Sequence, residues 1–359
     1  MNLQLETQTL WQRLQQEQKP IVLYGMGNGA EKILAQCEEH RIPVRDLFAS
    51  DEYVRGHEFA GFRVKKYVEI CEAYDDCVIL LAFAAFQPDL LEKIYTIGAR
   101  YEVLAPDVPL FGDGIFTPQT VEEHAANLQK LEELLADDTS RRVLEQLIAY
   151  KISGKISYLR QMETPRAEIF EHIFRFSSAE TYVDLGAYNG DTIEEFLAQT
   201  GGVFRRIVAF EPDVKNFKKL RETVQARQHP AIEIYPYGAW SEDGELEFSG
   251  RGGRNSSLTG DQPDKKSYRV PVRSVDSILQ GEPADYIKMD VEGAEREALF
   301  GCRKTIRTYA PKLAVSAYHR TNDFFTLPLL VHRLNPDYRI FLRHHPYIPA
   351  WETNLYATK

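Results

Sequence analysis

An α/β protein built on two doubly wound sheets is what the sequence predicts, on three observations. Strand-like and helix-like segments alternate with short connections over residues 1–115 and again from Thr181 onward, the pattern of parallel sheets flanked by helices. Two strand-to-glycine turns, "IVLYGMGNGA" at 21–30 and "YVDLGAYNGDT" at 182–192, each open one of these series. The length of 359 residues exceeds the roughly 250–300 at which single cores stop growing. The expected organisation is therefore two Rossmann-like domains, 1–115 and 179–359, joined by a helical connector at 116–178.

In the first series, "IVLYG" reads as a strand and "AEKILAQCEEH" as its helix, followed by "VRDLFASD", "CVILLAF", "PDLLEKIYTIG" and "YEVLAP". The connector lacks strand signals. Val121, Leu128, Leu131 and Leu135, then Val143, Leu147 and Ile148, recur at helical spacing, and Asp138 or Thr139 is placed to cap the second of these helices. The second series runs through "YVDLGA", "RIVAFEP", "IEIYPYGAW", "DYIKMD" and "KLAVSAY" with helix-like segments between them. Its last two strands, "YRIFLRHH" and "TNLYATK", are separated only by "PYIPAWE", which predicts a closing antiparallel hairpin.

Composition narrows the function. A net charge of -10 argues against nucleic acid as a partner, because that affinity rests on clustered Lys and Arg. No stretch approaches the roughly 18 apolar residues of a membrane helix. The N-terminal "MNLQLETQTLWQRLQQEQKP" lacks the basic start and apolar core of a signal peptide. Cys37, Cys71, Cys77 and Cys302 show neither metal-ligand spacing nor a disulfide framework. The expectation is a cytoplasmic protein with no membrane partner, for which oligomerisation stays open.

In doubly wound sheets, ligands collect beyond the carboxyl ends of the strands. The turn at 182–192 lies at such an end, with Gly186 and Gly190 expected to clear space for a ligand. Asp184 and Asp191 would repel a pyrophosphate, so a cationic, phosphate-free nucleoside fits better. S-adenosylmethionine is one: its sulfonium and amino group are positive and its ribose carries two hydroxyls. Glu211, 25 residues past Gly186, is placed to accept both hydroxyls. The expected cofactor contacts are Asp184, Gly186, Ala187, Asn189, Gly190, Asp191 and Thr192, with Glu211 and Pro212, and with Gly238, Ala239 and Trp240 bordering the adenine. Asp184 read alone is also a turn cap, Glu211 a surface acid and Trp240 core filling.

The stretches "YVDLGAYNGDT", "VAFEPD", "VRSVDSIL", "YIKMDVEGAEREALFG", "YHRTNDF", "LRHH" and "ETNLYA" resemble the FkbM family of S-adenosylmethionine-dependent methyltransferases, over roughly residues 138–359. The resemblance implies a class I methyltransferase sheet of seven strands and methyl transfer, usually to a hydroxyl of a sugar or secondary metabolite. Two positions depart from the pattern. Tyr188 stands where the general turn has a glycine, and Ala317 stands where family members often carry an acid, which excludes a base there.

Methyl transfer to a hydroxyl needs alignment and a group to take the proton. Asp290 at the end of the fourth strand, Glu292 in the following loop and His319 at the end of the fifth are the catalytic candidates. The same three residues can bind a divalent metal, possible but not favoured over direct base catalysis because the spacing carries no metal motif. Lys288 shares a strand face with Asp290 and is read as the partner of a buried acid, with ligand contact as the alternative. Arg343, His344 and His345 are candidates for meeting the acceptor, against a reading as a solvated strand end. In the first turn, "GMGNGA" has the G-x-G-x-x-A form with Asp51 as its acidic partner, but no nicotinamide half follows. Gly25, Gly27, Asn28 and Gly29 are therefore assigned to a nucleotide-linked acceptor, with an architectural role as the alternative. The function expected is O-methylation of a sugar, glycan or other small-molecule hydroxyl. A non-catalytic nucleotide-sugar-binding or assembly protein is the alternative, and a dehydrogenase ranks third.

Overall fold

The computed structural model describes residues 6–112, 114–227, 229–249 and 267–359. The fold is mixed α/β, with two sheets of mainly parallel strands. The first sheet holds β1 (Ile21–Tyr24), β2 (Val44–Phe48), β3 (Glu58–Phe59), β4 (Phe62–Lys65), β5 (Val78–Leu81) and β6 (Glu102–Leu104) in the order β3-β4-β2-β1-β5-β6. All pairings are parallel except β3 with β4. Every residue of β1 and β5 is buried, as expected of central parallel strands covered on both faces.

The second sheet holds β7 (Thr181–Leu185), β8 (Arg206–Phe210) and β9 (Ile232–Tyr235), then β13 (Tyr286–Met289), β14 (Lys312–Ser316), β15 (Arg339–His344) and β16 (Thr353–Thr358). Their order is β15-β16-β14-β13-β7-β8-β9, with β16 antiparallel to both β14 and β15. The closing hairpin is the one expected. A separate three-stranded sheet joins β10 (Gly238–Ala239), β11 (Gly244–Ser249) and β12 (Ser267–Arg273). The segment "IEIYPYGAW" is thus not one strand. β9 stops at Tyr235, immediately before Pro236, which has no N–H to give to a ladder. The chain resumes in the smaller sheet, and the β11–β12 pairing was not expected from the sequence.

The intervening segment is helical, with helices Pro118–Glu123, Ala125–Leu134, Asp138–Ser153 and Ile156–Met162. Val121, Leu128, Leu131, Leu135, Val143, Leu147 and Ile148 are all buried. The cap of the third helix is Asp137, one residue before the expected pair: its carboxylate accepts from Ser140 N. A single apolar cluster runs from Val22 and Phe48 in the first sheet through Leu147 and Ile148 to Ile287 and Leu313 in the second. The β15–β16 connection is tied to the first unit by a backbone bridge in which Ala85 N donates to Ile348 O (2.7 Å) and Ile348 N to Ala85 O (2.8 Å). Among the described residues no helix is long and apolar enough to cross a membrane, and the four cysteines are free thiols.

Arg343 is not at a solvated strand end. It is 2% exposed and holds the connector to β15: Nη2 donates to Asp137 Oδ2 (2.6 Å), Nε to Glu168 Oε1 (2.9 Å) and Nη1 to Ser140 Oγ (2.8 Å). Removing one partner of a buried ion pair leaves the others uncompensated. Arg343→Ala is expected to destabilise the protein by roughly 3 kcal/mol, measured as a lowered denaturation midpoint; an unchanged midpoint would show that this ion-pair cluster does not hold the connector to β15.

Candidate functional site

A cavity of about 880 Å³ opens at the carboxyl ends of β7, β8, β13 and β14, in the size range of small-ligand sites, roughly 300–1,000 Å³. Its floor is the second sheet. Its outer wall includes Ala84, Phe86, Pro88 and Leu110 of the first unit, and Tyr347 and Trp351 from the β15–β16 connection close one side. Phe86 stacks on Tyr347 with ring centroids 5.5 Å apart, a contact held in place by the Ala85–Ile348 bridge.

The first glycine of the β7 turn sets the geometry. Gly186 has φ +83°, and a Cβ there would lie 1.8 Å from the carbonyl oxygen of Asp290. The loops after β7 and β13 therefore approach at backbone contact, which only glycine permits. Gly190, φ +93°, faces Thr223 and Leu220 of the helix Val214–Arg227. Both glycines make room for protein rather than for a ligand, a correction to the expected role.

Behind this turn, Asp184 is fully buried. Thr192 Oγ1 donates to its Oδ2 (2.5 Å), while Oδ1 has no hydrogen-bond partner and lies 3.7 Å from Lys288 Nζ. Lys288 stands directly across from Asp184 in the β13–β7 register. Burial alone would lower its ammonium, but Asp184, Asp290 and Asp191 outweigh that and keep it above its ordinary value. Burial raises the Asp184 carboxyl, an effect that Lys288 and Thr192 partly offset. At the end of β8, Glu211 accepts from Tyr188 N (2.9 Å) and Asp213 N (2.8 Å). It is buried, and desolvation pushes its carboxyl up to about 7 against the pull of those two amides.

The β13 loop carries the second half of the site. His319 is 1% exposed and surrounded by acids: Nδ1 donates to Glu295 Oε1 (2.8 Å), and Nε2 lies 3.4 Å from Asp290 Oδ1 and 3.5 Å from Glu292 Oε2. Burial opposes the charge on the ring, but Glu295, Glu292 and Asp290 override it and carry the imidazolium up to about 10. His319 is thus a fixed cation at neutral pH. Burial would raise Asp290, but Lys288 and His319 hold it below the ordinary carboxylate value. Glu292, at φ +53° in the tight turn before Gly293, is pushed up to about 8, by burial first and then by Asp290, Glu295 and Glu211 despite the pull of His319. Asp290, Glu295 and His319 also bring potential ligand atoms within 4.8 Å of one another, a cluster that would hold a divalent cation only with His319 deprotonated.

Of the residues expected at a cofactor, Gly186, Asp191, Thr192, Glu211, Pro212, Gly238 and Ala239 line the cleft. Asp184 lies beneath the turn. Ala187 is buried, and Asn189 turns inward, its Oδ1 accepting from Asp191 N and its carbonyl from Thr223 Oγ1. Trp240 packs on Val270, Val272 and Ala294 in the smaller sheet and is core filling; Tyr237, stacked on Tyr235, takes the place on the wall. The catalytic candidates Asp290, Glu292 and His319 all line the cleft. His345 lines it as well, with both ring nitrogens bonded to Thr164 O and Tyr356 Oη. Arg343 and His344 do not: His344 is buried and bonds Thr353 Oγ1. Nor do Gly25, Gly27, Asn28 and Gly29. A Cβ at Gly25 would strike Phe83 and one at Gly29 the Ala82 carbonyl, because that turn packs on the chain beyond β5. Asp51 is exposed in a short 3-10 turn after β2.

Sequence reasoning missed Phe86, Arg166, Tyr237, Glu295, Tyr318 and Trp351. Only Glu295 carried a signal, as the last acid of "KMDVEGAE".

Residues 184–349 match the family model described as methyltransferase FkbM domain. The chain is similar in fold to a crystal structure of methyltransferase FkbM from Methylobacillus flagellatus, at 24% identity and a TM-score of 0.73, over 94% of this chain and 90% of that one. An rRNA methylase from Streptococcus thermophilus matches 51% of this chain and 88% of its own at 14% identity and a TM-score of 0.32. Fibrillarin from Aeropyrum pernix, solved with S-adenosyl-L-methionine, matches 54% and 73% at 11% identity and 0.34. No curated protein matches the chain.

Gly186→Ala combines a positive φ with a clash against backbone, so one of the two loops must move. The substitution is expected to lower the melting temperature and, on the methyl-donor reading proposed below, to weaken binding of S-adenosylhomocysteine by about tenfold in calorimetry. Unchanged affinity would show that the close approach of the loops is not what shapes the cleft.

Proposed function

We propose that this protein is an S-adenosylmethionine-dependent O-methyltransferase acting on a hydroxyl of a sugar, glycan or similar small molecule. The observation that supports it most is the set of acids brought together at the strand ends of the unit that matches the FkbM methyltransferase domain. Asp191, Glu195, Glu211, Asp290, Glu292 and Glu352 line the cleft, against Arg166, Lys288 and the imidazolium of His319. Such a surplus favours a cation and disfavours the diphosphate of a dinucleotide. Glu211, desolvated and accepting one amide on each carboxylate oxygen with a further lone pair left on each, suits a pair of ribose hydroxyls, and the unpartnered Asp184 Oδ1 marks polar capacity left open beneath the turn. When bound, S-adenosylmethionine supplies an electrophilic methyl on a sulfonium.

The residues of the chain then divide the remaining work. The aromatic rim of Phe86, Tyr347 and Trp351 holds the acceptor and narrows access to water. His319, fixed by Glu295, orients Asp290 and Glu292 and stays charged. It is therefore not the base, contrary to one of the roles open to it in the sequence. Glu292 accepts the proton of the attacking hydroxyl, because burial has moved its basicity toward neutral pH, where a general base is most effective. Asp290, held ionised, accepts a hydrogen bond from the same acceptor and shares Tyr318 Oη at 3.4 and 3.5 Å.

The direct test is transfer of labelled methyl from S-adenosylmethionine to a panel of glycosides. With Glu292 as base, kcat/KM rises with pH through about 8, since the protonated carboxyl below that value cannot accept and this ratio reports the free enzyme. Glu292→Gln is expected to lower kcat by about 10²–10⁴-fold with binding of S-adenosylhomocysteine unchanged; retention of the wild-type rate and pH profile would remove Glu292 from this role. Proton transfer to a carboxylate needs no metal, so chelator-treated enzyme is expected to keep its rate. A loss restored by Mg²⁺ or Mn²⁺ would instead assign the Asp290, Glu295 and His319 cluster to a cation.

A further inference from the structure

We propose that Lys288 anchors the carboxylate of the methyl donor's amino-acid tail, making the cleft selective for that tail as well as for the adenosine; the inference rests on the donor reading above. Among the described residues, the basic side chains lining the cleft are Arg166, Lys288, His319 and His345. Arg166 is committed: Nε and Nη2 donate to the two carboxylate oxygens of Glu195 at 2.6 and 3.0 Å, and Nη1 lies 3.7 Å from Glu352. His345 has both nitrogens bonded, and burial lowers its pKa to about 4, so it is neutral. His319 is enclosed by three carboxylates. Lys288 differs from all three. Its nearest carboxylate oxygen, Asp184 Oδ1, is 3.7 Å away, beyond hydrogen-bond distance, and that oxygen has no partner either.

Lys288 Nζ brings three donors to the cleft wall with no hydrogen-bond partner among the described residues, so a ligand oxygen can take them without displacing a protein contact. Its position specifies which ligand group. Lys288 lies on β13 across from Asp184 on β7, two residues before Asp290, which follows its own strand, and one strand further than Asp184 from β8, which Glu211 directly follows. If Glu211 takes the ribose and Asp290 borders the methyl, the tail leaving the same sulfur must cross the β7–β13 seam, where Lys288 stands. The tail's carboxylate is the donor's only anion, and acids dominate the rest of the lining. An adenosyl donor without that carboxylate would leave Lys288 unsatisfied.

Calorimetry on the full chain separates the possibilities, using S-adenosylhomocysteine and 5′-methylthioadenosine, which keeps adenosine and thioether but lacks the tail. Lys288→Met is expected to weaken S-adenosylhomocysteine by roughly 10–100-fold, as for loss of a charge-assisted hydrogen bond, with 5′-methylthioadenosine unchanged within twofold. Lys288→Arg is expected to recover part of the loss. Unchanged S-adenosylhomocysteine affinity in Lys288→Met overturns the proposal, as does an equal loss for both ligands, which would make Lys288 a structural partner of Asp184. Should the Met variant not fold, the wild type decides alone: the decarboxylated analogue of S-adenosylhomocysteine must bind at least tenfold more weakly than the parent, and equal affinities overturn the inference. A wild type that binds none of these ligands fails the donor reading itself, a separate result.

Discussion

The contact between the Gly186 backbone and the carbonyl of Asp290 is the constraint on which the site depends. With a Cβ position 1.8 Å from that oxygen, no other residue lets the ends of β7 and β13 lie so close. Their proximity puts two short polar series side by side, Asp184 of β7 with Thr192 of the helix that follows it, and Lys288 of β13 with Asp290 just past its end. From Asp290 the series continues through His319 to Glu295, so charge alternates from acid to base across three neighbouring strands. Each charge is stabilised by the next, which is how this many ionisable groups survive in a largely desolvated cleft.

That alternation is not balanced. Glu211 and Glu292 sit where burial and neighbouring acids resist their ionisation, pushed up to about 7 and about 8. A cation entering the cleft stabilises both carboxylates, so on the proposed reading the sulfonium that carries the methyl also prepares the base. Among the described residues, the first unit contributes no charged side chain to the cleft lining. It supplies Phe86, Pro88 and Leu110 as an apolar wall, and Phe111 N donates to His319 O at 3.3 Å, so the His319 end of the cleft is built from both units.

What the sequence made legible was local and periodic. Alternation of strands and helices indicated both sheets, and the absence of a helix before "TNLYATK" indicated the antiparallel hairpin. The order of Asp184, Glu211 and Asp290 along successive strands placed them at one edge, because parallel strands all present their carboxyl ends to the same side. What stayed hidden depends on packing between distant segments. Arg343 and His344 look like a polar strand end until the connector covers them with Asp137 and Ser140. Trp240 follows a strand in sequence, but Pro236 diverts it to another sheet. The two glycines of the second turn suggested space for a ligand, whereas they are needed for backbone and helix packing, which a linear motif does not distinguish. Phe86 and Tyr347 lie far apart in the chain and meet only through the Ala85–Ile348 bridge.

The account rests on the cleft over β7, β8 and β13 being the seat of the methyl donor. A crystal structure of the protein with S-adenosylhomocysteine tests this most directly. The expected result is a ribose with both hydroxyls on Glu211 and a sulfur facing the Asp290–Glu292 loop. Adenosine bound at the first glycine turn, or a second-sheet cleft filled by its own side chains while the ligand sits elsewhere, would contradict it.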